Sequence, residues 1–498
     1  MAGLLIGDVI RRAALATPQR IAATLDDDEL TFVELERRSN RLAHVLAGLG
    51  VGRHDRVAWW GDTTLDVMPF FGALAKLGAV FAPVNARLGP TEAAEVVGYA
   101  RPRLLVTDVA HAQLAAAWDV PTATLEELAV SAARASGPSD AAPPASRVDE
   151  RDPHVIFFTS GSTGHAKGVI LSHRANVLRS FPNPTSDPSG GTVCMFPLFH
   201  MAGWSMALGA WQSRCPLHLV SSPDAETLLA TVERRRASRL YCIPAVWARV
   251  LSADRSRFDL STLREADTGT SATPPELVSA LRDAFPSTVT RIYYGSTEAG
   301  PGTVLPHADV MRKPGSVGLP GLGVDVRLSD EGEVCLRSEF LMDGYFDDRE
   351  ATAAALRDGW YHSGDLGVFD DEGYLSIVGR ARDVMRTGGE TVAPSEVEAV
   401  LIDHPAIGEI AVVGVPDPDW GEVVCAVVVT APGARAPVDL AALRRHCDGR
   451  LAGFKQPRRL ELVDALPRTA ATGQVQRTLL VERIISQTSG PDGSEPQA

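Results

Sequence analysis

The sequence predicts an α/β protein with a large, mostly parallel N-terminal part and a smaller unit behind it, on three observations. Short β-rich apolar runs alternate with helix-periodic stretches from the N-terminus to about residue 320. From Val324 to Ile377 short strands and turns replace that alternation. A charged, glycine-flanked segment then leads into a fresh helix–strand–strand–helix pattern after Ser395.

Leu30–Leu35 reads as a short strand entering a helix, with Thr31 and Glu34 spaced for a capping box. Arg56–Trp60 reads as a strand, Phe70–Gly78 as an apolar helix, and Ala79–Val84 and Leu104–Asp108 as strands. Residues 131–152, rich in Ala, Ser and Pro, read as a flexible linker. His154–Phe158 reads as a buried strand, the next ten residues as a loop, Val169–Leu171 as strand again, and Ser172 as the cap of a helix. In the smaller unit, Ser395–Ile402 is expected as a helix with a capping box from Ser395 to Glu398. Ile407–Val415 and Val423–Val429 are expected as strands, Asp417–Gly421 as a turn, and Leu440–Leu451 as a helix. From Gln487 the chain is polar with Gly and Pro and reads as a disordered tail.

The chain has 498 residues, 45% hydrophobic and 22% charged, enough for more than one sizeable core. A formal net charge of −14 argues against a nucleic-acid partner. The six cysteines are scattered with no C-x-x-C pair, so neither a disulfide framework nor a zinc site is indicated. No apolar run approaches the roughly 18 residues of a membrane span, and the N-terminus lacks a signal-peptide pattern, so a soluble cytoplasmic protein is expected.

Chemistry is concentrated at four places. Thr159-Ser160-Gly161-Ser162-Thr163-Gly164-His165-Ala166-Lys167-Gly168 holds three glycines, four hydroxyls and one lysine. Glycines let backbone N–H groups turn toward an anion, and Lys167 adds a point charge suited to phosphate. The pattern departs from a Walker A loop, because Ala166 precedes the lysine and Gly168 follows it. Tyr293-Tyr294-Gly295-Ser296-Thr297-Glu298 sets a carboxylate at a strand's carboxyl edge, where it could hold Mg²⁺, with Tyr294 able to stack on adenine. Trp360–Gly367 presents Asp365 on a glycine turn, suited to two ribose hydroxyls. Gly379-Arg380-Ala381-Arg382-Asp383, with Gly388-Gly389-Glu390, suits a hinge. Each taken alone also fits an ordinary solvated turn.

In this order and spacing, together with Pro197-Leu198-Phe199-His200, Lys455-Gln456-Pro457 and Leu466-Pro467-Arg468-Thr469, these segments resemble the AMP-forming adenylating superfamily over residues 8–482, most of all its acyl-CoA synthetase branch. That resemblance implies a large N-terminal domain (1–379) of mostly parallel α/β sheets plus a β-barrel-like part, a hinge at 380–383 centred on Arg382, and a small mobile C-terminal α+β domain (384–486). It implies ATP, Mg²⁺ and CoA as cofactors, a small acid substrate, and a thiol or amine acceptor. Thr159, Ser160, Gly161, Ser162, Thr163, Gly164 and Lys167 would wrap the β- and γ-phosphates. Thr297 would meet the α-phosphate and Glu298 the metal. Gly269, Thr270, Ser271, Tyr294 and Gly295 would line adenine, and Asp365 with Arg380 would hold the ribose. His200, Met201, Gly203, Trp204, Tyr241, Gly295 and Ser296 would surround the acyl group, which could be aromatic or of medium length.

Three departures stand out. Ala166 replaces a proline, and Thr268–Thr273 replaces a Gly-Gly/Ala-Ala-Pro type sequence. Gln474 stands where the family has a lysine that bridges substrate carboxylate and α-phosphate, with one extra alanine before it. A neutral amide cannot neutralise a phosphate, and the lost contact is worth about 2–4 kcal/mol in the transition state. Arg468 or Arg477 could compensate. The departure keeps open an enzyme with a non-CoA acceptor, such as one that activates nitrite for an aromatic amine in secondary metabolism, and a silent nucleotide-binding homologue.

Overall fold

The computed structural model describes residues 3–134, 141, 148–160, 166–180, 190–271, 273–383, 385–387, 390–417, 420–433, 438–448, 450–469 and 473–488. Packing divides the chain into a larger unit, residues 1–326 with 336–362, and a smaller one, residues 327–335 with 363–498. By packing, Ser363–Phe369 and Leu375–Arg380 thus group with the C-terminal residues, because the two segments form one antiparallel hairpin. The mixed α/β class expected from the sequence is the class observed.

In the larger unit, helix Phe32–Gly48 starts where the sequence predicts. The Thr31 hydroxyl accepts the Glu34 N–H at 3.3 Å, and the Glu34 carboxylate accepts the Thr31 N–H at 2.9 Å. One sheet runs in the order Gly344–Tyr345, Ala166–Ser172, Pro153–Ser160, Val80–Val84, Arg56–Trp60, Leu104–Thr107, Thr122–Thr124. Its strands are parallel from Pro153–Ser160 outward, whereas Ala166–Ser172 returns antiparallel and Gly344–Tyr345 adds antiparallel beyond it. In the second sheet Ile292–Ser296, Glu265–Gly269, Arg239–Tyr241, Thr192–Cys194, Leu217–Leu219 and Ile21–Leu25 are parallel neighbours in that order. The strand Gly300–Leu305 returns antiparallel beside Ile292–Ser296. Parallel strands are covered on both faces, which is why they read as continuous apolar runs.

Large aromatics fill the core. Trp59, Trp60, Trp204, Trp211 and Trp247 are almost wholly buried, and Phe71 stacks on Trp204 with ring centroids 3.8 Å apart. Truncating one of these to alanine costs about 3–5 kcal/mol.

Two local expectations are corrected here. Helix Leu125–Arg134 takes the first residues of the expected linker, because Leu125, Leu128 and Ala132 bury on one face. At its other end Asp152 binds the Arg53 guanidinium through contacts of 2.6 and 2.7 Å, and most of what lies between is outside the described residues. The second correction concerns the expected loop at 159–168. Pairing continues through Thr159↔Lys167 and Ser160↔Ala166, so Ala166, Lys167 and Gly168 belong to a strand.

In the smaller unit a sheet runs Glu390–Val392, Met385–Thr387, Gly421–Thr430, Ile407–Asp417, with Arg459–Leu462 parallel to Gly421–Thr430. Alternation sorts its two faces. Val412, Val424, Ala426 and Val428 pack with Val397 and Leu401 of helix Pro394–Leu401 and Leu443 of helix Leu440–Cys447. Val413, Val415, Cys425 and Val427 pack with Leu480 and Ile484 of helix Arg477–Thr488. The capping box expected at Ser395 and Glu398 is absent. Pro394 occupies the first turn, the Ser395 hydroxyl donates to the Val378 carbonyl, and Glu398 accepts the Val412 N–H at 2.8 Å. The expected tail falls almost wholly outside the described residues. Among the described residues no helix is long and apolar enough to cross a membrane. All six cysteines are buried.

Candidate active site

The hairpin Pro153–Ser160/Ala166–Ser172 carries the first charge. Lys167 lies opposite Thr159, whose hydroxyl donates to the Lys167 carbonyl at 3.4 Å. Gly168 has to be glycine, because a Cβ there would meet Ile156 at 2.8 Å and Phe346 at 3.1 Å. Its carbonyl accepts the Phe346 N–H at 2.7 Å, which lays Gly344–Tyr345 along the hairpin and brings the Tyr345 ring under Lys167, 4.9 Å from Nζ to ring centroid. Gly161, Ser162, Thr163 and Gly164 lie outside the described residues, as does the side chain of Ser160.

Glu298 carries the second charge. Strand Ile292–Ser296 ends in a turn, with the Ser296 hydroxyl accepting the Ala299 N–H at 3.0 Å. The Tyr345 hydroxyl donates to the Glu298 carboxylate at 3.0 Å. One phenol therefore touches both Lys167 and Glu298, two residues that the sequence singled out separately. Tyr361 hydrogen-bonds Tyr345 and Ser296. Burial, then the nearby Glu298 charge, raises both phenols above their ordinary range, so both stay protonated.

Thr297 is held from behind. Arg179, at the end of the helix that Ser172 caps, donates from Nη1 to the Thr297 carbonyl at 2.8 Å and from Nη2 to the Phe340 carbonyl. Burial pulls this guanidinium down to about 10, while Asp343 and Glu298 help keep it charged at neutral pH. Arg179, Tyr345 and Tyr361 were not among the residues predicted. The available signals were faint: an arginine closing an apolar turn, one tyrosine beside Gly344 and another beside Trp360. The Glu298 carboxylate suits a hard cation such as Mg²⁺, which takes one or two protein carboxylates and completes its shell with phosphate oxygens and water.

The expected adenine and acyl residues flank the same strand ends. Gly269 (φ +155°) ends strand Glu265–Gly269 and Thr270 (φ +66°) follows it, and a Cβ on Gly269 would lie 2.2 Å from the Tyr293 carbonyl. Tyr294 and Gly295 pair with Thr303 and Pro301. Ser271 closes the turn with its carbonyl 3.4 Å from the Thr273 hydroxyl. His200 caps helix Met201–Gln212, its Nδ1 accepting the Ala202 N–H at 3.2 Å, so the neutral ring carries its proton on Nε2. Burial moves His200 down to about 4, and its ring stacks on Phe196 at 5.6 Å. The Met201 sulfur accepts from Ser205 at 2.9 Å. Gly203 is buried against the Pro197 carbonyl. Trp204 is 2% exposed, its indole N–H bonded to the Leu198 carbonyl and its ring on Phe71, so it is a core residue and not a pocket wall. Tyr241 lies 5.7 Å from Phe196.

In the smaller unit Asp365 and Arg380 are register partners and form an ion pair at 2.6 Å. Arg382 lies in a short turn of 3₁₀ helix, Ala381–Asp383. Gln474 is exposed in a turn closed by its carbonyl accepting the Thr469 N–H at 2.8 Å. Both arginines considered as substitutes are already engaged: Arg468 with Glu409 at 2.6 Å, and Arg477 with Glu398 at 2.6 Å and Asp383 at 3.5 Å.

The chain matches the AMP-binding enzyme family over residues 10–346 and the AMP-binding enzyme C-terminal domain over residues 396–472. It is 36% identical to a feruloyl-CoA synthase of an Amycolatopsis species, over 94% of this chain and 97% of the relative. It is 31% identical to a long-chain-fatty-acid–CoA ligase of Mycobacterium tuberculosis, over 96% and 98%. Among solved structures, an anthranilate CoA ligase in complex with anthranoyl-AMP superposes with a TM-score of 0.84 at 26% identity, covering 97% of this chain and 98% of that one. The chain therefore belongs to the AMP-binding enzyme family, on the acyl-CoA synthetase branch of the AMP-forming adenylating superfamily, and is an AMP-forming acid ligase.

Proposed function

We propose that this enzyme adenylates an aromatic or medium-chain carboxylic acid with ATP and passes the acyl group to the thiol of CoA. The observation that carries this reading is the convergence of Lys167 and Glu298 on Tyr345 at the mouth of the hairpin. A carboxylate approaching a triphosphate meets negative charge, so positioning and electrostatic stabilisation dominate the catalysis. Lys167 sets its ammonium against the triphosphate, helped by the hydroxyls and amides of 159–164. Glu298 holds Mg²⁺, which when bound neutralises phosphate oxygens. Thr297 meets the α-phosphate, Gly269 to Ser271 with Tyr294 and Gly295 receive adenine, and Asp365 with Arg380 receives the ribose. A substrate oxygen bonds to the α-phosphorus as the bond to pyrophosphate breaks. The C-terminal domain, 384–486, turns about Arg382 within 380–383, and His200 stands between the acyl pocket and the incoming thiol. Sulfur then bonds to the acyl carbon, and AMP departs with the electron pair of the broken C–O bond.

Product mass spectrometry tests the reading. Incubation with ATP, Mg²⁺, CoA and mixed carboxylic acids should yield AMP and an acyl-CoA. AMP formed only with nitrite and aromatic amines, without a thioester, would overturn it.

A further inference from the structure

Charge stands directly behind the aromatic wall that begins at His200. Phe196 stacks on His200, Tyr241 follows Phe196, and Tyr293 lies 6.0 Å from Tyr241. Strand pairing sets Arg239 opposite Glu265, Tyr241 opposite Asp267, and Gly269 opposite Tyr293. Because side chains two apart share a face, Arg239, Tyr241, Glu265, Asp267, Arg291 and Tyr293 present one surface.

That surface is charge-balanced. Asp267, fully buried, binds Arg239 at 2.8 Å and the Arg291 backbone N–H at 3.1 Å, and Glu265 binds the Arg291 guanidinium at 3.0 Å. Two cations thus face two anions. Arg239 lies 5.9 Å from the centroid of each tyrosine ring and keeps 26% of its side chain accessible beside a partner that has none. Such a group borders a space and is not sealed in packing. Burial works against the Arg239 charge, but Asp267 outweighs it and keeps the guanidinium firmly protonated. The Tyr293 hydroxyl accepts from Arg291 at 3.1 Å, which leaves its own proton to donate. The Tyr241 hydroxyl reaches the carboxyl end of the neighbouring strand, 2.6 Å from where a Cβ on Gly269 would stand.

We propose that Tyr241 and Tyr293, backed by Arg239 and Asp267, close the acyl pocket and select a compact carboxylic acid bearing a neutral oxygen acceptor, a hydroxyl or carbonyl, remote from the carboxyl. The proposal rests on the ligase reading above. Two full-sized rings shorten the space available to an acyl chain. The groups they offer are donors, and leaving a buried donor unpaired penalises an acid without oxygen there. A second carboxylate is disfavoured because the cluster has no surplus positive charge to receive it.

The full-length enzyme is assayed for pyrophosphate release and thioester formation with matched acids: benzoate with 4-hydroxybenzoate, hexanoate with 5-oxohexanoate, and ferulate and palmitate as large acids. In at least one pair the oxygenated member should be favoured by about tenfold or more in kcat/KM, with the large acids about a hundredfold behind it. Tyr241→Phe and Tyr293→Phe should each narrow that ratio to below about threefold. Tyr293→Ala should raise ferulate relative to the compact acids. Ratios within one variant are unaffected by a general loss of folded protein. Palmitate or ferulate used as well as the compact acids by the unsubstituted enzyme would overturn the proposal, as would an unchanged ratio in both phenylalanine variants. Absence of AMP and thioester with every acid would instead strike the ligase reading. Calorimetric titration of the same acids against enzyme holding a non-hydrolysable ATP analogue then gives the pair ratios directly, and equal affinities would overturn the pocket proposal.

Discussion

Lys167 and Gln474 mark the two positions where the family resemblance places handling of substrate charge, and the chain holds them in opposite ways. Lys167 sits in a strand paired to Pro153–Ser160 on one side and to Gly344–Tyr345 on the other, with its ammonium over an aromatic ring. Gln474 sits in an exposed turn closed by Thr469, among arginines already committed to Glu409 and Glu398. A charge fixed by backbone register on both sides cannot be moved without moving a sheet. A turn residue can be exchanged at little cost to folding.

The comparison breaks most sharply at its rigid end. Lys167→Met should lower the rate of pyrophosphate release by about 10²–10³-fold, and Glu298→Gln should do the same, with thermal stability nearly unchanged in each. Steady-state kinetics beside a melting curve decides this, and retained activity in Glu298→Gln would contradict its metal role. At the exchangeable end, Gln474→Lys should raise adenylation of a carboxylic acid by about tenfold or more, read as ATP–pyrophosphate exchange. A drop would mean that the neutral amide is fitted to a different acid. Tyr345→Phe, which removes only the hydroxyl on Glu298, should raise the Mg²⁺ concentration needed for half-maximal nucleotide binding by about three- to tenfold. A fluorescent-nucleotide titration against Mg²⁺ that matches the unsubstituted enzyme would reduce Tyr345 to packing.

The smallest effect concerns pH. His154 and His173 pack together under the hairpin with ring centroids 4.5 Å apart, and burial lowers both, His173 to about 4. Each is neutral when folded and gains a proton on unfolding below its ordinary value. Their contribution is therefore complete above about pH 6.5 and is lost as pH falls toward 4, by up to about 1.4 kcal/mol per pH unit for each. Urea unfolding followed by tryptophan fluorescence at pH 7 and pH 5 should show the loss, and equal stability at both would show that the pair titrates normally.

Strand ends, caps and the order of motifs were legible because they are local: Thr31 with Glu34, Ser172 before its helix, and Glu298 after an aromatic strand. What escaped is brought together by the fold. Arg179 reaches Thr297 across 118 residues, and Tyr345 meets Lys167 and Glu298 only after a third strand joins the hairpin. The low strand preference of Gly, Ala and Lys hid the pairing at Thr159 and Lys167, since cross-strand hydrogen bonding overrides weak propensity. Trp204 misled for the converse reason: proximity to His200 in sequence says nothing about which side of a helix faces the core.

The buried cysteines bear on the safety of the chemistry. An acyl-adenylate is an electrophile that reacts with any thiolate within reach, including those of the enzyme that makes it. Burial holds Cys194 and Cys425 up to about 12 and raises Cys242 and Cys447 as well, and Cys215 and Cys335 are equally enclosed. A protein that hands activated acyl groups to an incoming thiol thus keeps its own sulfur out of competition, and should emerge from turnover free of self-acylation.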